Sequence, residues 1–380
     1  MTAQRFLRHV SQLLPGLLAL ALLVFILRSA DLGRSLALVK ALGWKIPLLL
    51  IPNLVATLSE TFGWWVAFSR LCERPRFRPL LAVRMMTDAV MLGLPSGPVI
   101  CESLQPYLLK RQCEVPLEIG IIAGLGRKFL VVLSHGLFLG LAVLLAWPML
   151  HRASQVTIGR VGLPLLLLGT AAVLVLVAGG SVALGVHGKL GDRLLRGLNR
   201  FGGRWLGTWL ERNALRFQAA DDHLARFFTN RPAGLIVPLL AYVGSWLARA
   251  IETLVFLRLL GVNIALIAAM VIETSLILVR SMAVPVPAGL GVQDAGYVLS
   301  LKVLGVADAV TVGAAFVLLK RGKDLFWIGF GFLLLALGRN RRDESAPLAG
   351  RSDGSPGDKP QGPPDDGSET SPGPRPGVPA

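Results

Sequence analysis

Ionisable side chains sit where this chain is most apolar. Glu60 lies within residues 46–71, Arg84 and Asp88 within 80–94, Arg127 and Lys128 within 117–150, Arg249 and Glu252 within 234–260, and Glu273 and Arg280 within 264–284. A charge at the centre of an isolated transmembrane helix costs about 2.5–3.5 kcal/mol on the insertion scale, so each needs a partner or water. One reading pairs Asp88 with Arg280, and Arg249 with Glu252 three residues along one helix face, simply to neutralise buried charge. The other has these four line a groove through which a charged headgroup passes. The cations Lys110, Arg127, Lys128, Lys302, Lys320 and Arg321 suit phosphate, which prefers Arg or Lys and the N-termini of half-helices. For Lys320, Arg321 and Lys323, snorkelling to the membrane interface is the preferred reading.

Helix breakers interrupt the same apolar runs at Pro95, Gly97 and Pro98, and again at Pro285, Pro287, Gly289 and Gly291. In lipid, freed backbone groups must be satisfied inside protein or in a wet cavity, so such breaks mark protein-lined polar space. Glu102 and Asp294 follow the breaks, placed to bind an amine or hydroxyl or to point into water. The glycines also suit any tight turn or close helix crossing.

The elements that would position these residues are transmembrane helices. A 53% hydrophobic, 16% charged chain of 380 residues with a mean hydropathy of +0.61 is too apolar for a water-soluble globule. The formal net charge of +16 is carried mainly by Lys and Arg flanking apolar runs, a placement that fits anionic lipid rather than nucleic acid. Three cysteines without a C-x-x-C pair and five scattered histidines predict neither a disulfide framework nor a metal, and no cofactor is expected. His135, Trp64, Trp65, Trp246 and Tyr107 read as packing or interface residues.

The predicted fold is all-α and polytopic, with roughly six to ten spans. Residues 13–27, preceded by Arg5 and Arg8, read as an uncleaved first span, with a signal peptide as the alternative. Two copies of a repeat are expected at about 46–150 and 234–338. They are linked by a span at 161–185 and a basic amphipathic segment at 187–231. Glu60-Thr61 recurs as Glu252-Thr253, Pro95 as Pro287, Gly97 as Gly289, Glu102 as Asp294 and Lys110 as Lys302, each 192 positions on. Arg127-Lys128 recurs as Lys320-Arg321 with one residue inserted. The loop at 70–78 is rich in arginine while its counterpart, 261–263, carries no charge, so the positive-inside rule makes the copies inverted. Both ends of the membrane part are then cytoplasmic. Residues 341–380, rich in Pro, Gly, Ser and Asp, read as a disordered cytoplasmic tail.

Pro287-Ala-Gly-Leu-Gly-Val-Gln-Asp294, followed by Leu304-Gly-Val306, resembles the Pro-Gly-Gly-Leu-Gly-x-x-acid signature of the lysylphosphatidylglycerol synthase transmembrane region, a flippase-like integral membrane family. Leu94-Pro-Ser-Gly97 through Glu102, with Tyr107-Leu-Leu-Lys-Arg111, resembles its first block. The likeness spans most of residues 10–340. It departs at Ala288, at Asp294 and at Pro98-Val-Ile, where the family more often has Gly, Glu and a Gly-Glu pair. The resemblance implies the lipid-translocating half without the soluble aminoacyl-transfer domain of the full-length synthases, hence no enzyme. Gly63-Trp64-Trp65-Val-Ala-Phe68 is closest to a branch associated with hopanoid biosynthesis.

The expected function is translocation, or assisted transport, of an amphipathic lipid, a hopanoid or an anionic phospholipid, across or out of a bacterial inner membrane. Lipid-biosynthesis or export proteins are possible partners. Two other classes remain open: a scaffold recruiting such enzymes through the basic segment, and a membrane enzyme using Glu102 and Asp294 as acid and base. The expected groove lies where the breaks at Pro95 and Pro287 meet. Its substrate-contacting residues would be Glu60, Asp88, Pro95, Gly97, Glu102, Lys110, Arg127, Arg249, Glu252, Arg280, Pro287, Gly289, Gly291, Asp294 and Lys302.

Overall fold

The computed structural model describes residues 31–94, 97–158, 162–186, 227–228, 232–282 and 291–343. Among them lie eleven α-helices and no strand. The first six are α1 (Leu32–Ala41), α2 (Ile51–Phe68), α3 (Phe77–Gly93), α4 (Gly97–Cys113), α5 (Leu117–Leu145) and α6 (Trp147–Ile158). There follow α7 (Leu163–Val186), α8 (Ile236–Leu259), α9 (Leu266–Met282), α10 (Val292–Val303) and α11 (Ala309–Asp343). The chain divides into two compact units, Met1–Leu337 and Gly338–Ala380; of the second only the end of α11 is described. The expected first span, Pro95, Pro285, Pro287, Gly289, the tail beyond Asp343 and the basic segment apart from Phe227 and Phe228 all lie outside the described residues, and residues 341–343 of the expected tail close α11 as helix.

Among the described residues, four helical stretches are long and apolar enough to cross a bilayer: Gly43–Phe68, Leu117–Leu145, Leu163–Gly180 and Ile236–Leu259. The first joins a 3-10 helix, Gly43–Leu50, to α2, with Pro52 in the opening turn where its missing N–H costs no intrahelical bond. On α7, Leu166 and Leu176 are 66% and 71% exposed, a surface that only hydrocarbon can cover at low cost.

Three local features set up the interior. Proline at 95 forces the residue before it out of the helical region, and Leu94 is extended at φ −112°, ψ 144°, ending α3. Helix α4 then starts hard against α3: a Cβ on Gly97 would fall on the Val90 carbonyl oxygen and 2.6 Å from that of Met91, so only glycine fits. At 17 residues each, α3 and α4 are about 25 Å long, short of the roughly 30 Å hydrocarbon core. Second, small residues bring α2 and α8 together. Ser59 donates to the Ala241 carbonyl at 2.7 Å, and a Cβ on Gly63 would meet the Pro238 carbonyl at 3.1 Å. Third, Gly331 lets α11 approach α3, with a Cβ there only 2.5 Å from the Met85 carbonyl oxygen.

Residues 309–343 form one continuous 35-residue helix that runs through Lys320, Arg321 and Lys323, whose charges find acids inside the protein.

Candidate functional site

Close contact of α2 with α8 places Glu60 beside Arg249, and α3 supplies two more charges. Glu60 is 6% exposed and accepts from Arg249 at 2.8 Å through one oxygen and from Arg84 through the other. Arg84 also pairs with Asp88 at 2.7 Å, one turn along α3. This quartet lines a cavity of about 600 Å³ enclosed by α2, α3, α4, α5, α8 and α11. From α4 and α5 come Gln105 and Arg127, joined by a 3.0 Å hydrogen bond, and the pair Glu102–Lys128 at the exposed rim. Asp324 and Trp327 of α11 complete the polar wall. The rest is apolar, and Leu94, Ile121 and Leu125 both line the cavity and are exposed on the outer surface at 37%, 46% and 48%.

A second ionic cluster lies nearer the C-terminus and, among the described residues, encloses no comparable space. Glu252, 1% exposed, accepts from Lys320 at 2.7 Å and Lys323 at 2.9 Å. Lys320 also reaches Glu273 at 3.2 Å, whose same oxygen accepts from Thr253 at 2.6 Å and Tyr297 at 3.1 Å. Phe256, Tyr297 and Phe316 surround the Lys320 ammonium, each ring centre 5.6 Å away. Asp294 accepts the Gly291 N–H at 2.8 Å, capping α10 where Gly291 has φ 79°, and its other oxygen takes Arg321 at 2.6 Å.

The expected site residues thus separate. Glu60, Asp88, Glu102, Arg127 and Arg249 meet at the cavity. Gly97 shapes the hairpin beneath it, while Glu252, Gly291 and Asp294 belong to the closed cluster. Lys110 and Lys302 are exposed in the last turns of α4 and α10, away from the cavity lining. Pro95, Pro287 and Gly289 lie outside the described residues, as does the side chain of Arg280.

Asp88 is partnered by Arg84, one turn away on the same helix, while the side chain of Arg280, its expected partner, lies outside the described residues. Two other expectations change. Arg249 and Glu252 do not pair. They lie about one turn apart on α8, where one level faces Glu60 of α2 and the next faces the lysines of α11. Lys320 and Lys323 do not snorkel: at 6% and 9% exposure they are held by buried acids. His135 is a satisfied packing residue, 3.1 Å from the Thr274 carbonyl and stacked on Trp246.

Sequence reasoning did not select Arg84, Tyr242, Asp324 or Trp327. The i,i+4 spacing of Arg84 and Asp88 was a usable signal, as was a lone phenol within the apolar α8. Asp324 and Trp327 gave none, because their role depends on where α11 packs.

Taken together, these helices and buried ion pairs define a multi-pass membrane protein with a polar cavity opening through an apolar lip. The chain belongs to the family described as the lysylphosphatidylglycerol synthase TM region, whose profile matches residues 12–331. No curated protein and no solved structure matches it.

Proposed function

We propose that this protein moves, or assists the transport of, an amphipathic lipid, a hopanoid or phospholipid, across or out of a bacterial inner membrane. The observation that carries this reading is the cavity itself: charged at the back, apolar and outward-facing at Leu94, Ile121 and Leu125. A headgroup would enter between these side chains and exchange hydration for the Glu60–Arg84–Asp88–Arg249 network. Its apolar body would stay in the bilayer, which removes most of the desolvation barrier.

In this reading the two halves are inverted repeats, both ends of the membrane part are cytoplasmic, and the chain is a transporter rather than an enzyme. Recurrence of one contact set at the repeat offset supports the duplication. Glu102–Lys128 corresponds to Asp294–Arg321, and Arg127 over Trp64 at 5.4 Å corresponds to Lys320 over Phe256 at 5.6 Å.

The test is leaflet exchange of a fluorescent phospholipid or hopanoid in proteoliposomes, read by quenching from outside. Leu125→Trp, which narrows the lip without touching an ion pair, should slow exchange about tenfold if entry through the lip limits the rate. Equal rates in wild type, variant and protein-free vesicles would refute the reading.

A further inference from the structure

Every acid lining the cavity touches a cation. Glu60 meets Arg84 and Arg249, Asp88 meets Arg84, Glu102 meets Lys128, and Asp324 lies 3.4 Å from Lys323 and 3.6 Å from Arg321. The cations are not matched in the same way. Among the described residues, Arg127 is the lining cation that touches no carboxylate. Its contacts are the neutral Gln105 oxygen at 3.0 Å and the Trp64 ring at 5.4 Å. Its counterpart in the other half, Lys320, has two carboxylates within 3.2 Å.

Hydrogen-bond donors are left over in the same space. Arg127 Nε, Tyr242 Oη and Trp327 Nε1 are buried without a hydrogen-bond partner among the described residues, and all three side chains line the cavity. Tyr242 is 1% exposed, so bulk water does not satisfy it. A guanidinium without a counter-charge and spare N–H and O–H donors together form the recognition set for an oxyanion.

We infer that Arg127, with Tyr242 and Trp327, is the seat of the phosphodiester of a lipid headgroup, and that it makes the cavity select phosphate-bearing lipids over uncharged ones. This rests on the lipid reading of the cavity and narrows it. The negative group completes the one unmatched cation. A neutral headgroup would leave Arg127 uncompensated, and desolvating it would oppose binding. Free phosphate shares the chemistry, but Leu94, Ile121 and Leu125 at the mouth favour an anion attached to acyl chains.

A native reporter is in place, since Cys101 lines the same cavity, its thiol 3.1 Å from the Thr87 carbonyl. In the full chain carrying Cys72→Ser and Cys113→Ser, maleimide modification of Cys101 is followed in detergent. The probes are dioleoyl phosphatidylglycerol, dioleoylglycerol and inorganic phosphate. The phospholipid should protect the thiol at concentrations about ten- to a hundredfold below those needed with the diacylglycerol. Arg127→Gln should abolish that difference, whereas Arg127→Lys keeps part of it. Equal protection by the two lipids in the wild type, or a preference that survives Arg127→Gln, overturns the phosphate seat while leaving lipid entry intact. Protection by inorganic phosphate as strong as by the phospholipid overturns the lipid-borne source. Protection by none of the three overturns lipid entry and the phosphate seat together.

Discussion

The two halves use the same kinds of residue to opposite ends. In the second, Lys320 is enclosed by Glu252, Glu273 and three aromatic rings. In the first, Arg127, which the proposed repeat aligns with Lys320, has one ring and an amide oxygen, and it borders open space. The difference traces to few residues. Where the second half has Glu273, the position 192 earlier is Leu81, so on the proposed alignment the first half lacks the acid that would close its cluster. A buried charge network thus serves as mortar where all its charges are matched; under the proposal above, the one charge left over makes its counterpart a binding surface.

The comparison can be broken most directly by removing the two cations. Lys320→Met would strip a charge from two buried acids and should cost about 3–5 kcal/mol, seen as a large fall in melting temperature in detergent. Arg127→Met uncovers no acid in contact and should cost less than about 1 kcal/mol. Equal losses would show that the halves are not different in kind. Next in size, Gly97→Ala pushes a methyl into the α3 backbone and should cost about 1–3 kcal/mol, lowering stability without changing lipid preference at the remaining folded fraction.

Tyr297→Phe removes one donor to Glu273 and should cost about 1 kcal/mol by thermal melt, with leaflet exchange in vesicles unchanged because the site is closed. A marked loss of exchange would mean that the closed half takes part in transport. Smallest is Lys128→Ala at the rim. An exposed pair with Glu102 contributes about 0–1 kcal/mol, so the melt should hardly move. Any slowing of headgroup entry should vanish at high salt. A salt-independent effect would place Lys128 inside the binding surface.

How much of this was legible in the sequence depends on the distance over which each feature is determined. Membrane class and helicity follow from hydropathy, a local sum, and the α3–α4 elbow follows from Pro95 and Gly97, which constrain only their neighbours. The buried acids and bases were visible as exceptions to an apolar background, and five of them do converge on the cavity. Their partners were not legible. Glu60 is bonded to a residue 189 positions away, and that choice is made by the rotation of α8 against α2 through Ser59 and Gly63. The enclosure of Lys320 likewise needs rings from α8, α10 and α11 to arrive at one point, which no single segment encodes.

Helix α11 has a mechanical consequence. Within one uninterrupted rod, Lys320 is anchored in the closed cluster and Trp327, about 10 Å further along, forms part of the cavity wall. Any rocking that widens or narrows the cavity at Trp327 must therefore be levered against the ammonium–carboxylate clamp at Lys320. If the wall moves during transport as proposed, the closed cluster is its fulcrum, and the stiffness of that cluster sets how far the wall can swing.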